Sequence, residues 1–347
     1  MFKKLVVIIL ILIILFTFSA VYIYRSTKEF LTTPYKYEKK EVLVQIKRGM
    51  SDTDVADLVY KHGLVSDRKK FYYFLRFLHR NRGLEVKAGE YLLSTNMTPW
   101  QIAEKLIKRE VVKYKVTIPE GLRFEEVAQI LDREKIAYYD EFVSLCQDRV
   151  FLSSIGIEGE NCEGYLLPDT YLFERNLNAK DIFRQINDEF KRRITAGYIE
   201  KAKEIGFSLY EILIIASMIE KEARIDEERT LISSVIHNRL KRGMGLYIDA
   251  TVIYGLIREK GGFNGNLTRR DLETPTRYNT YIIKGLPPTP ICNPGIKSIN
   301  AALMPAKTSY LYYVSKNDGS HYFCETLECH NKAVYKYQIE YYRKVRR

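Results

Sequence analysis

The sequence predicts an α+β protein: an N-terminal transmembrane helix, then two related strand–helix modules, then a mixed α+β C-terminal domain. Three observations carry this. The run from Leu5 to Tyr24 holds no charged residue, and at roughly 1.5 Å of rise per helical residue it reaches about 30 Å, the thickness of a bilayer's hydrocarbon core. A strand–turn–helix pattern recurs at an offset of 72 residues. Finally, Ile212 to Ile219 is apolar on every side except Ser217, the mark of a helix buried all round.

Residues 1–4 form a tail bearing Lys3 and Lys4, expected on the cytoplasmic side, and residues 5–24 the anchor. A cleaved signal peptide is the competing reading. Cleavage after Ala20 would want a small residue where Phe18 stands, and apolar residues resume at Val21. Tyr22 and Tyr24 suit the membrane interface. Arg25 and Lys28 flank the other side, so the positive-inside rule does not orient the helix alone. A C-terminal body of this size is translocated largely regardless of those charges.

Residues 25–40 are polar, interrupted by Pro34, and read as a linker. The first module covers 41–111. Its Val44-Gln-Ile-Lys-Arg-Gly49, followed by Val55-Ala56-Asp-Leu58, matches Val116-Thr-Ile-Pro-Glu-Gly121, followed by Val127-Ala128-Gln-Ile130, in the second module at 112–207. Each copy is an alternating strand, a glycine turn and an amphipathic helix. A second helical stretch and a strand-like piece follow, Gly89-Glu-Tyr-Leu-Leu in one and Gly164-Tyr-Leu-Leu in the other. Such modules either bind glycan strands or act as spacers. The second merges into the domain at 208–347, because no linker follows Gly164 to Phe173. That domain opens with a capping box, Ser208-Leu-Tyr-Glu211, ahead of the apolar helix. A second helix follows, with Asp226 as its cap, Ile232, Val235, Ile236 and Leu240 as its stripe, and a stop at Gly243. Beyond it the chain reads as strand-like and loop-rich, with Pro287, Pro288 and Pro290 clustered.

Fifty-five basic and 43 acidic residues leave a formal charge of +12, which favours anionic partners. Nucleic acid would want a dense basic stripe. Here the cations are dispersed, apart from Lys191-Arg192-Arg193 and the tail Arg343 to Arg347. No nucleic acid is expected; a wall polymer or lipid headgroups suit an outward-facing protein better. Five cysteines are too few for a disulfide scaffold, though Cys324 and Cys329 are close enough in sequence to be bridged. His321, Cys324, Cys329 and His330 match no established zinc spacing, and no metal is expected.

Glu220 and Glu222 end the buried helix. Burial at such a position raises a carboxyl's pKa and keeps a proton ready for a leaving oxygen. Helical spacing does not choose between them: Glu220 lies beside Ala216 and Leu213, Glu222 beside Ile219 and Ile215. Solvent-facing pairing with Lys221 or Arg224 is the plainer alternative. Asn238-Arg239, Tyr247-Ile-Asp249-Ala-Thr251 and Arg277-Tyr-Asn-Thr-Tyr281 gather polar and aromatic groups of the kind that stack on sugars and bond their hydroxyls.

Several segments resemble the endolytic murein transglycosylases, the YceG-like family. They include Gln45 to Gly49, Thr117-Ile-Pro-Glu-Gly121, Glu163-Gly-Tyr-Leu-Leu-Pro-Asp-Thr-Tyr171 and Ala216-Ser-Met-Ile-Glu-Lys-Glu222. The resemblance continues through His237-Asn-Arg-Leu-Lys-Arg-Gly-Met244, Asp249-Ala-Thr-Val-Ile-Tyr254, Tyr278-Asn-Thr-Tyr281, Gly285-Leu-Pro-Pro-Thr-Pro-Ile291 and Asn293-Pro-Gly295. Tyr310-Leu-Tyr-Tyr-Val314 and Asp318-Gly-Ser-His321 complete the set, which spans nearly the whole chain beyond the anchor. Ala250, Leu167, Cys292 and Cys324 depart from the family pattern without removing a proposed catalytic group.

The resemblance implies a single-pass protein of the bacterial inner membrane with its catalytic domain on the periplasmic side. The 41–111 module would be LysM-like, and the domain at 208–347 would carry a glycan-binding cleft. Its substrate would be nascent peptidoglycan, cut between N-acetylmuramic acid and N-acetylglucosamine to leave 1,6-anhydro ends and terminate elongation. The family's catalytic glutamate falls on Glu220. That acid would protonate the leaving oxygen and then deprotonate the muramyl 6-hydroxyl, which closes on the anomeric carbon. With the nucleophile carried by the substrate, neither a second carboxylate nor a cofactor is required. Glu222, Asn238, Asp249, Thr251, Tyr278, Asn279 and Tyr281 are expected to contact the glycan, and peptidoglycan synthases are expected partners. The alternatives are a lysozyme-type hydrolase and a non-catalytic glycan-binding tether for synthesis enzymes.

Overall fold

The computed structural model describes residues 2–175, 177–341 and 343. Lys344 to Arg347 of the basic tail lie outside the described residues. Helix α1 (Phe2–Thr32) contains a span, Lys4–Thr32, long and apolar enough to cross a membrane. It runs through Arg25 to Thr32, so the first part of the expected linker is helical. Pro34 explains the stop, since its ring disfavours helical backbone in the residue before it.

Two compact units follow from the packing. The first holds the described residues to Tyr114 together with Glu174 and Arg175. Here β1 (Glu41–Ile46), α2 (Asp52–Lys61), α3 (Arg68–Arg82), β2 (Gly89–Ser94) and α4 (Pro99–Ile107) appear in order. Strands β1 and β2 pair antiparallel, Glu41 opposite Ser94 and Ile46 opposite Gly89. Alternation puts Val44 and Ile46 on the buried face, where Val55, Phe71, Leu93 and Ile102 join them. Capping boxes at Ser51/Asp54 and Thr98/Gln101 start α2 and α4.

The second unit holds the described residues 115–173 and those from Leu177 onward. Strand β3 (Tyr114–Ile118) leads through a turn to α5 (Phe124–Arg133), α6 (Tyr139–Gln147) and α7 (Arg149–Ser154), and β4 (Asp169–Phe173) returns to pair with β3. Both copies of the repeat therefore fold alike, as strand, glycine turn and ten-residue helix. The turns need glycine because Gly49 and Gly121 sit at φ +82° and +78°. Gly164 to Leu167 is not the strand expected. Asn293 captures the Gly164 and Leu166 N–H groups (2.9 and 3.0 Å), which holds this stretch as a buried turn and moves the strand to Asp169.

Next come α8 (Ala179–Arg193), α9 (Ala196–Glu204), α10 (Leu209–Glu222), a 3₁₀ turn at Asp226–Glu228 and α11 (Arg229–Lys241). Asp226 does not cap α11 with its side chain. It opens the 3₁₀ turn and pairs with Arg229 and Lys297 instead. The region after Gly243 is more helical than expected: α12 (Asp249–Glu259), α13 (Arg269–Leu272) and α14 (Ile296–Leu303) precede the antiparallel hairpin β5 (Tyr312–Ser315) and β6 (His321–Cys324). Helix α15 (Leu327–Val334) follows. Disulfides join Cys146 to Cys162 and Cys324 to Cys329, leaving Cys292 free and buried.

Candidate active site

The site grows from the end of α10. Ser208 and Glu211 close the capping box at its start: the Ser208 N–H donates to Glu211 Oε2 (2.7 Å) and the Glu211 N–H to Ser208 Oγ (3.1 Å). All residues from Ile212 to Ile219 are buried, as their apolar run requires. The helix emerges with Glu220, whose side chain is only 7% exposed.

Both Glu220 oxygens are held. Oε1 accepts from Arg229 Nη1 at 3.2 Å, and Oε2 accepts from the Gly295 backbone N–H at 2.9 Å. Arg229 is itself buried. It also bonds Asp226 Oδ1 (3.0 Å) and Ser298 Oγ, tying α10, the 3₁₀ turn and α14 together. Buried ion pairs persist where such extra hydrogen bonds satisfy the remaining groups.

Opposite lies the turn Pro119-Glu-Gly121. It is zipped to the 293 loop by reciprocal backbone bonds, Gly121 N–H to Asn293 O (2.9 Å) and Asn293 N–H to Leu122 O (2.8 Å). Lys221 Nζ reaches Gly121 O at 3.3 Å. A Cβ on Gly121 would stand 3.6 Å from Glu220 Cγ, and one on Gly295 would meet Glu120 Oε1 at 2.0 Å. The Glu120 carboxyl thus rests against the residue that donates to Glu220. Partial burial and the charge of Glu220 push Glu120 above the ordinary carboxylate range, with Arg229 and Lys297 opposing.

Asn293 organises this corner. Its Oδ1 accepts the Gly164 and Leu166 N–H groups, while its Nδ2 donates to Leu122 O (3.0 Å) and Glu163 Oε1 (2.9 Å). Buried Glu163 also accepts from the Phe124 N–H (3.0 Å) and the Tyr254 hydroxyl (3.2 Å). Burial, with Glu125 adding to it, pushes Glu163 well above its usual range despite these donors. The unfolded chain loses that proton near the ordinary carboxylate value, whereas the folded chain keeps it. Stability therefore falls as pH rises from there until Glu163 itself ionises. A Glu163→Gln protein, with the Tyr254 hydroxyl turned to accept, is expected to lose this slope. Thermal melts between about pH 5 and pH 8 check it: the variant's melting temperature falls less than wild type's.

Glu222 takes a different path. Its Oε2 accepts from the Tyr313 hydroxyl (3.0 Å), and burial raises its pKa. With Lys221, Arg224, Ser315 and His321 it lines a pocket of about 540 Å³. Asp249 accepts from the Tyr281 hydroxyl at 2.6 Å, and its negative charge adds to the upward push on Glu222. Asn238 donates to Thr308 O (3.0 Å) and Tyr310 O (2.9 Å). Thr251, Tyr278 and Asn279 were expected at the glycan surface, but they lie in the interior. Thr251 bonds Ile248 O and Thr280, Tyr278 bonds Thr289, and Asn279 bonds Leu272 O and Thr274 O. The Asn279 amide thereby holds two loop carbonyls, while the Thr251 and Tyr278 hydroxyls tie side chain to side chain.

Arg229, Glu120, Asn293 and Gly295 went unassigned in the sequence. Three of them stand inside the quoted Pro-Glu-Gly121 and Asn293-Pro-Gly295 motifs, which was a signal of place though not of role. Arg229 carried no local signal.

The profile described as the YceG-like family matches residues 44–336. The endolytic murein transglycosylase of Bacillus subtilis is 30% identical over 326 residues, covering 89% of this chain and 88% of that protein. That of Streptococcus pneumoniae is 27% identical, covering 85% of this chain and 58% of the relative's length. The crystal structure of a YceG-like protein from Listeria monocytogenes superposes with a TM-score of 0.57 at 31% identity, covering 85% of this chain and all of that one.

Proposed function

This chain belongs to the YceG-like family, and on that premise we propose that it is a peptidoglycan lytic transglycosylase. It cuts nascent glycan strands internally between N-acetylmuramic acid and N-acetylglucosamine, leaves 1,6-anhydro-N-acetylmuramic acid ends, and so terminates elongation. The observation that carries this reading is the sheltered Glu220 carboxyl at the end of α10, fixed by Arg229 and the Gly295 N–H. A fixed, sheltered carboxyl is what general acid–base work on an acetal demands.

The reaction needs one proton placed on the glycosidic oxygen as the C1–O4 bond breaks. Another leaves the 6-hydroxyl as O6 closes on C1. The cation-like anomeric centre between these events is stabilised by carboxylate charge. Glu220 is the carboxyl that this reading places at the reacting centre. Glu222, Asp249, Tyr281 and Asn238 serve the glycan cleft, while Thr251, Tyr278 and Asn279 support its walls from within. The first unit is a LysM-like glycan-binding module. Helix α1 is a single-pass anchor in the bacterial inner membrane, with the rest periplasmic and close to peptidoglycan synthases. Two disulfides support an oxidising, extracytoplasmic setting.

Mass analysis of products from purified glycan strands tests the reaction. Anhydro ends, lighter than reducing ends by one water, are expected. Reducing ends would mean that water is the nucleophile, and uncut strands would leave only a tether.

A further inference from the structure

We propose that Glu120 is the second acid of this site: it delivers the proton to the leaving glycosidic oxygen, while Glu220 takes the proton from the 6-hydroxyl. The proposal rests on the transglycosylase reading and divides its proton work between two residues.

The two carboxyls meet the same residue from different sides. Gly295 gives its N–H to Glu220 Oε2, and its Cα is covered so closely by Glu120 that a Cβ there would stand 2.0 Å from Oε1. Their surroundings differ in kind. Glu220 is nearly closed off, with Arg229 on one oxygen and an amide on the other. Those are the donors a carboxylate gathers, and each oxygen keeps a lone pair for an incoming hydroxyl proton. Glu120 is exposed and makes no hydrogen bond or ion pair among the described residues. Yet it is held beside Gly295 by the zipped Pro119–Gly121 turn.

The charged groups around Glu120 are Glu220 on α10, Arg229 on α11, Asp226 on the 3₁₀ turn and Lys297 on α14. Partial burial and the two carboxylates raise its pKa, and the two cations oppose them. The carboxyl whose pKa partial burial and neighbouring negative charge raise is thus the exposed one, on the turn beside Gly295. Environments that differ between paired acids are how one site runs acid and base chemistry together.

The step balances. The Glu120 proton passes to the departing O4 as C1–O4 breaks. O6 bonds C1, and its proton passes to the Glu220 carboxylate. One proton has then moved from Glu120 to Glu220, and solvent exchange restores the pair before the next turnover.

A leaving group that needs no proton provides the test. Full-length protein in detergent is given glycan strands and, separately, a short glycan carrying a 4-nitrophenyl group at the position of the leaving sugar. Glu120→Gln is expected to cut strands at least about 100-fold more slowly with KM within twofold. Nitrophenol release should stay within about fivefold of wild type. Gly295→Ala keeps the N–H to Glu220 and pushes only the flexible Glu120 end aside, so it should show the same selective loss. Wild-type kcat on strands should fall as pH rises through the Glu120 titration, and the residual rate of Glu120→Gln should lack that alkaline limb. Where wild type does not release nitrophenol, the limb decides.

The proposal is overturned if Glu120→Gln cuts strands within about fivefold of wild type, loses both substrates in parallel, or keeps the alkaline limb. Failure of the underlying reading looks different: Glu220→Gln would cut normally, or the products would lack anhydro ends.

Discussion

Glu220→Gln protein is expected to cut glycan strands at least about a thousandfold more slowly than wild type while still folding and binding glycan. The amide keeps the shape of the side chain and offers one oxygen to Arg229 or the Gly295 N–H. It cannot carry or accept the proton that the reaction moves. Removing the negative charge also takes one partner from buried Arg229, but Asp226 and Ser298 remain bonded to it. The guanidinium is therefore not stranded, and the melting temperature should drop by only a few degrees. Strand-cleavage rates, glycan pull-down and thermal melts on one preparation check the three claims. Normal cleavage by this variant would remove Glu220 from the chemistry.

Asn293→Ala is expected to cost about 3–5 kcal/mol and to abolish cleavage, though Asn293 is not placed in contact with substrate. The side chain is fully buried, and its donors and acceptor are all used. Truncation leaves the Gly164 and Leu166 N–H groups without their acceptor. It also removes a donor from Leu122 O and from the Glu163 carboxyl. Each stranded buried group costs about 1–3 kcal/mol, partly relieved by relaxation or water. The amide's orientation follows from the same network: turning it over would set N–H against N–H and oxygen against oxygen. Because residue 293 also zips the Glu120–Gly121 turn to the loop carrying Gly295, loosening it misplaces both carboxyls. Denaturant unfolding should show the loss as a lower midpoint. Asn293→Asp should recover part of the stability, since a carboxylate still accepts the two N–H groups. An alanine variant as stable and active as wild type would contradict this account.

The α+β class, the apolar N-terminal helix, the repeat and the Ser208 capping box were legible because each is a local pattern. They depend on side-chain period, on a glycine at positive φ, or on a cap three residues from its partner. Local patterns failed where distant chain intervened. The Gly164 stretch reads as strand in isolation, but Asn293 takes its N–H groups and makes it a turn. Asp226 reads as a cap, yet Arg229 and Lys297 draw its carboxylate away.

At the site, the sequence by itself determined that two acids end a buried helix and, through motif resemblance, which family they resemble. It did not determine their surroundings. Only the tertiary structure decided that Glu220 meets Arg229 and the Gly295 N–H, that Glu222 turns to Tyr313, and that Glu120 rests against Gly295. It also decided that Thr251, Tyr278 and Asn279 face inward. The physical reason is separation along the chain. Helical periodicity specifies which side of α10 a residue occupies, but the groups met there come from residues 120, 229, 295 and 313, brought together only when the core packs.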